Sequence, residues 1–131
     1  MFPTLPTIVF CTLLLVIPRL PESTGRMVNS SNTGNKGGIS ATSLFGNKFI
    51  TLNSSGGLYV ADGGNKRVLY FATGSTTAFR VFGQGGNFTS DTTNKGGVSA
   101  DSLSSPFGVT LDNSGGLYIA DTNNNRVLYY V

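Results

Sequence analysis

The sequence predicts an all-β fold built from a duplicated unit of short strands. Glycine occurs 18 times, whereas charged residues make up only 11% of the 131 residues. This composition is typical of turn-rich β proteins and not of coiled coils or charged disordered tails. Shifting the sequence against itself by 59 positions aligns residues 35–71 with residues 94–130 without a gap, and 22 of the 37 pairs are identical. Such a repeat predicts stacked or radially arranged units, each of which needs a neighbour to cover its faces.

The beginning of the chain predicts a leader. Residues 7–17 form an uncharged apolar run, and the polar stretch 22–25 follows it. This run has the length of a signal-peptide core, and as a helix it would reach only about half of the ~30 Å hydrocarbon layer. We therefore interpret residues 1–25 as a signal peptide or hydrophobic leader and residues 26–34 as a linker. An uncleaved anchor and an artefactual start are the alternatives. A true signal would make the protein extracytoplasmic or secreted, and no stable membrane span is expected.

Each unit reads as a meander of antiparallel strands. In the second unit, residues 107–111, 117–120 and 126–130 are the predicted strands, joined by turns rich in Gly, Asn and Asp. In the first unit a fourth strand, residues 78–82, follows the turn at 73–75. Apolar residues at consecutive positions predict that both faces of each sheet are covered. These residues are Leu58, Val60, Val68 and Leu69 and their equivalents Leu117, Ile119, Val127 and Leu128.

Three motifs of the second unit point to a known repeat. They are Pro-Phe-Gly-Val-Thr-Leu-Asp at 106–112, Gly-Gly-Leu-Tyr-Ile-Ala-Asp at 115–121 and Asn-Asn-Arg-Val-Leu-Tyr at 124–129. The first unit carries similar pieces within residues 49–68, with Asn47 in place of the proline. Both units resemble the NHL repeat, the blade unit of a family of β-propellers.

The resemblance implies the antiparallel four-stranded blades of a β-propeller. The propeller is expected to be incomplete, with one full blade plus three strands of a second. Residues 35–93 then form the first NHL-type repeat with its inter-blade loop, and residues 94–131 form a truncated second repeat. We expect either a fragment of a longer multi-blade product or several chains associated through their open blade edges, and we favour the fragment.

An acid and a base recur five residues apart across a hairpin in both units, as Asp62 with Arg67 and as Asp121 with Arg126. A catalytic acid with a charge-tuning partner is one interpretation. An Asp at the start of a turn also accepts backbone N–H bonds, however, and an Arg on the returning strand can donate to it. Because both units carry the pair, we interpret these residues as structural hairpin pairs.

The sequence predicts no catalytic, cofactor-binding or metal-binding residues. There is no histidine, and the single cysteine, Cys11, lies in the leader. Asp121-x-Asn123-x-Asn125 matches the first three positions of a calcium loop, but Arg126 stands where that loop requires glycine. The glycines at 83–86 lack the spacing and the following helix of a phosphate loop. We therefore expect that the protein is not an enzyme and that it binds no cofactor.

The glycines at 83–86 predict a flexible loop, and the stretch 83–105, rich in Gly, Ser, Thr and Asn, is interpreted as the connection between blades. Asn-x-Ser/Thr triplets make Asn29, Asn53 and Asn87 candidate glycosylation sites if the chain enters a eukaryotic secretory route. Tyrosines at equivalent strand positions are expected to pack between blades. These are Tyr59, Tyr70, Tyr118 and Tyr129.

Members of the resembled family serve as protein- or RNA-binding platforms and as sensor domains, and related propellers are metal-dependent enzymes. We predict a non-catalytic binding or scaffolding module that presents its loops to a protein or carbohydrate partner. A fragment of a metal-dependent lyase or hydrolase and an RNA-binding face are the alternatives. The net charge of +3 is small and the charged residues are scattered along the chain, so charge does not indicate a nucleic-acid partner.

Overall fold

The computed structural model describes residues 33–131, which form two antiparallel β-sheets. The predicted leader 1–25, most of the predicted linker and Asn29 lie outside the described residues. The strands are β1 (Asn47–Leu52), β2 (Leu58–Asp62), β3 (Arg67–Phe71), β4 (Arg80–Phe82), β5 (Pro106–Leu111), β6 (Leu117–Asp121) and β7 (Arg126–Tyr130). The first sheet has the order β1-β2-β3-β4 and the second has the order β5-β6-β7. The predicted fold class, one four-stranded blade and three strands of another, is confirmed.

Helical structure in this part of the chain is limited to short turns. They are three-residue 3-10 turns at Gly63–Asn65, Gln84–Gly86 and Thr122–Asn124. Between residues 33 and 131, no helix has the length and apolar character that crossing a membrane requires.

The sequence duplication is also a duplication of the backbone. The β1–β2 pairing shifts register between Asn47 and Ile50, and the β5–β6 pairing shifts just after Pro106, at the equivalent place. The hairpins after β2 and β6 each close through a residue in the left-handed region, Lys66 with φ 52° and Asn125 with φ 53°. The two units therefore share the same local backbone geometry. They differ in the segments that pack against their sheets.

The two sheets pack against each other through a shared hydrophobic core. The first sheet contributes Ala61, Val68 and Phe82, and the second contributes Val109, Leu117 and Ile119, with Leu103 from the segment before β5. The half-buried Tyr59, Tyr70, Leu111, Leu128 and Tyr130 pack around them. The Phe82 and Tyr130 rings meet edge to face, with centroids 5.1 Å apart. Strand periodicity places these residues on opposite faces of equivalent sheets, so the sheets stack in one direction.

The other face of the first sheet is covered by the chain itself. Val60, Leu69, Phe71, Ala78 and Val81 form a second core there, against which Ala41, Leu44, Leu58 and Phe88 pack. The sequence predicts that both faces of each sheet are covered, and on this face the segment before β1 and the loop after β4 provide most of the cover.

Two further expectations differ from the structure. The fourth strand was predicted at 78–82 but begins at Arg80, which lies opposite Tyr70 of β3, and the Ala78 N–H bonds to the Ala41 carbonyl outside the sheet. The predicted packing between blades holds for Tyr59 and Tyr70, whereas Tyr118 and Tyr129 are exposed on the second sheet. The described residues place no third sheet against them.

Candidate binding surface

The hairpin between β2 and β3 contains a buried ion pair. Arg67 Nε donates to Asp62 Oδ2 across 2.8 Å, and both side chains are fully buried. Asp62 Oδ2 also accepts a bond from Asn65, while Oδ1 accepts the backbone N–H of Phe45 at 2.7 Å. Both oxygens of this buried carboxylate thus accept hydrogen bonds from residues of the same unit.

The rest of the Arg67 guanidinium ties distant segments to the same hairpin. Nη2 donates to the carbonyls of Ser40 and Ser43, at 3.0 and 2.8 Å, and Nη1 donates to the carbonyl of Phe88. A buried guanidinium needs such acceptors, since an unpaired buried charge is costly. Arg67 therefore joins the segment before β1 and the loop after β4 to its own blade.

The second unit repeats this arrangement. Arg126 Nε donates to Asp121 Oδ2 at 2.7 Å, and Nη2 donates to the carbonyls of Ser99 and Ser102. The Ser104 N–H bonds to Asp121 Oδ1, as the Phe45 N–H bonds to Asp62. The two residue pairs that the sequence singled out are thus brought together in both hairpins, in geometry that supports the fold.

Two asparagine pairs that the sequence analysis did not single out complete these networks. Asn35 and Asn65 exchange reciprocal amide bonds of 2.7 and 2.8 Å, and Asn94 and Asn124 do the same at 3.0 and 2.7 Å. All four are identical between the aligned units, which is the signal that could have identified them. Asn35 and Asn94 also adopt positive φ, which asparagine tolerates better than most residues.

Gln84 gives the inter-blade loop more order than the sequence predicts. Its side chain is fully buried, and Nε2 donates to the carbonyls of Asn65, Lys66 and Thr92. Residues 84–86, expected to be flexible, form a 3-10 turn held by this contact. A single glutamine among glycines gives no periodic signal from which this contact could be predicted.

The candidate glycosylation residues have different environments. Asn53 is half-buried, and its Oδ1 accepts the backbone N–H groups of Ser55 and Gly57. Asn87 is exposed, and its Oδ1 accepts bonds from the Thr89 N–H and hydroxyl. Of these two, Asn87 is the residue that a modifying enzyme could reach.

The turns of the two units lie side by side and enclose a depression of about 310 Å³ with both polar and apolar side chains in its lining. We call this depression the rim site. It is lined by Thr51, Leu52, Asn53, Ser54, Leu111, Asp112, Asn113 and Gly115. Ser54 and Asn113 are exposed there, so their hydroxyl and amide groups face solvent.

Asp112 is the charged group of the rim site. Its Oδ1 accepts the N–H groups of Gly116 and Ser114, both at 2.8 Å, and the Tyr129 hydroxyl donates to Oδ2 at 3.2 Å. These bonds, that from Gly116 above all, hold the pKa of the Asp112 carboxyl below its ordinary value. Asn53 forms the same turn in the first unit without a charge.

A second surface is apolar. Tyr118 pairs with Tyr129 and Ala120 with Val127 across the β6–β7 register, which places all four on one face of the second sheet. We call these four residues the open face. The Tyr118 and Tyr129 rings contact each other at a tilt of 37°, with centroids 4.6 Å apart. Phe49 of β1 lies at the edge, where an apolar depression of about 290 Å³ borders Ala120 and Val127.

Comparison with known protein families identifies part of the second unit. The NHL repeat family model matches residues 103–130, from Leu103 through β5, β6 and most of β7. No curated protein matches the chain at a significant level. The predicted resemblance is thereby confirmed for the second unit, whereas for the first unit it stays a prediction. The match and the stacked blade-like sheets together indicate a propeller-type repeat module.

Proposed function

We propose that this chain is a non-catalytic binding or scaffolding module that presents the turns of one propeller rim to a protein or carbohydrate partner. The rim site is the observation that carries the proposal. It joins the equivalent turns of two neighbouring blades, so a ligand there would contact both units. Loops that a rigid β scaffold positions in this way are common sites of binding.

The chemistry of the rim site suits a polar partner. Ser54 and Asn113 offer both donors and acceptors to solvent, and the Asp112 carboxylate adds a negative charge. Sugar hydroxyls and the polar groups of protein loops both pair with such residues. The buried Asp62 and Asp121 carboxylates are already bonded within their hairpins, so they support the scaffold and leave recognition to the rim.

We also propose that residues 35–71 are a second NHL-type repeat. Support comes from the 22 identities in 37 aligned pairs, the shared bulge in the first strand pair and the shared Asp–Asn–Arg network. The apolar run at 7–17 supports an extracytoplasmic location for this module.

The proposed function is tested by binding of the labelled chain to a glycan array and to a displayed peptide library. The double variant Ser54→Ala/Asn113→Ala removes the exposed polar groups of the rim site. The matched control, Thr122→Ala/Asn123→Ala, changes exposed residues at the opposite end of β6. We expect at least about tenfold weaker binding for the rim variant and unchanged binding for the control.

Three outcomes would contradict the proposal. One is equal binding by the wild type and the rim variant, which would place the ligand elsewhere. Another is stoichiometric zinc or calcium in the purified protein together with substrate turnover, which would favour the metal-dependent enzyme. The third is salt-sensitive binding of RNA, which would instead favour a nucleic-acid surface.

A further inference from the structure

The open face has an exact structural counterpart inside the molecule. Shifted by 59 positions, its residues correspond to Tyr59, Ala61, Val68 and Tyr70 on the first sheet. Those four belong to or pack against the inter-sheet core, where Val68 is completely buried. In the open face the equivalent Val127 is 65% exposed. The same surface is therefore covered in the first unit and uncovered in the second.

The first sheet carries the complementary half of this contact. Val109 and Leu111 on β5 pack into the inter-sheet core, where Val109 is only 7% exposed. Their equivalents on β1 are Ile50 and Leu52, which are 61% exposed. We call Ile50 and Leu52 the inner-strand patch. The second core covers β2, β3 and β4 on that face and leaves this patch in solvent.

We propose that the open face of one chain packs on the inner-strand patch of a second copy of this chain. The contact would repeat only the β5 part of the packing between the two sheets, with Ile50 and Leu52 in the places that Val109 and Leu111 occupy, because the second core already covers the rest of that face. The apolar depression beside Val127 receives one of these aliphatic side chains. Such a contact is heterologous, so it either closes into a ring or extends as an open filament.

The geometry of propellers sets the expected size of a closed ring. Propellers typically contain about four to eight blades, and residues 33–131 supply two sheets, so about two to four copies of this segment would complete a ring. Leu52 lines both the rim site and the inner-strand patch, and Tyr129 of the open face bonds to Asp112 of the rim site. The two tests remain distinguishable, because the self-association variants change Val127 and Ile50, which do not line the rim site, and the rim variant changes Ser54 and Asn113.

The test is sedimentation velocity of the full chain, whose monomer mass is 13.7 kDa, over a range of concentrations. Val127→Glu places a carboxylate on the open face, and Ile50→Glu places one on the inner-strand patch. Val98→Glu is the matched control, because Val98 is also 65% exposed but lies on neither surface. The apolar leader is present in all variants, so association through it would be unaffected.

We expect the wild type and Val98→Glu to self-associate. Either single surface variant should raise the dissociation constant at least about tenfold, because an unpaired carboxylate would be buried in the contact. Circular dichroism should show that all variants retain the β fold, since each changed side chain is exposed. An equimolar mixture of Val127→Glu and Ile50→Glu should form a heterodimer, because each supplies the surface that the other lacks.

A monomeric wild type at all concentrations would overturn the proposal and indicate that a different protein segment covers the open face. Association that is insensitive to Val127→Glu would overturn it as well. A loss caused by Val127→Glu but not by Ile50→Glu would indicate that two open faces pair with each other, which the head-to-tail contact does not allow.

Discussion

Arg67 and Asp62 form an ion pair of 2.8 Å in which both side chains are fully buried, whereas the equivalent Arg126 side chain is 24% exposed beside Asp121. The two units thus contain the same Asp–Arg ion pair, which is fully buried in the first unit and partly exposed to solvent in the second. Phe88 contributes an additional carbonyl to Arg67 from the loop after β4. We therefore expect the ion pair to contribute more to the stability of the first sheet than to that of the second.

Replacing each aspartate by alanine should reveal this difference. Asp62→Ala leaves a buried guanidinium without its carboxylate, and we expect a loss of about 3–5 kcal/mol in the free energy of unfolding. Asp121→Ala should cost about 1–3 kcal/mol, since solvent reaches Arg126. Urea denaturation measures both, with the exposed Asp91→Ala as control. Equal losses for Asp62→Ala and Asp91→Ala would contradict a structural role for the pair.

Asp112 should make stability depend on pH. Its pKa is lowered in the folded state, so the charged form stabilises the fold above the ordinary value of 3.8, and this contribution disappears as pH falls through the folded pKa. Asp112→Asn keeps the turn, as Asn53 does in the first unit, but removes the titration. Between about pH 5 and pH 2, Tm should therefore fall further for the wild type than for the variant. Parallel curves would show that Asp112 does not contribute.

Gly83 should tolerate alanine much less well than its neighbour Gly85. Gly83 has φ 82° and ψ −178°, a region almost restricted to glycine, and an added Cβ would lie 2.9 Å from Leu103 Cδ1. Gly85 has φ 57° and ψ 32°, with no atom near an added Cβ. We expect losses of about 2–4 kcal/mol for Gly83→Ala and about 1–2 kcal/mol for Gly85→Ala. Thermal melts would refute this account if the order were reversed.

Leu103 and Leu44 occupy equivalent positions but different environments. Leu103 is completely buried between the sheets, whereas Leu44 is only partly buried on the outer core. We expect Leu103→Ala to cost about 2–5 kcal/mol and Leu44→Ala to cost less. If chemical denaturation gave the larger loss for Leu44→Ala, the inter-sheet core would not be the main source of stability.

The strands were predictable because their signals are local. Turn residues such as Gly56, Gly115 and Asn125 separate apolar runs at the same spacing in both units, and the pairing follows from this spacing. The Asp and Arg residues were noticed for the same reason. Their identical spacing across a hairpin indicated one recurring structural device.

The less predictable features depend on contacts between distant segments. Gln84 reaches carbonyls up to 19 residues away, and Ala78 bonds to Ala41, so neither the loop order nor the late start of β4 has a local signature. The rim site also joins turns from different units. Similarly, nothing local to Val127 distinguishes it from the buried Val68, since exposure depends on which sheet has a neighbour.

The two equivalent sheets stack in one direction, and nuclear Overhauser spectroscopy can detect the contact between them. The Phe82 and Tyr130 rings lie 5.1 Å apart across the two sheets, while Tyr59 and Tyr70 lie 4.7 Å apart within the first sheet. We predict cross-peaks for both pairs of rings in the folded protein. Cross-peaks for Tyr59 and Tyr70 without any between Phe82 and Tyr130 would contradict this prediction, because the blades would then fold without stacking.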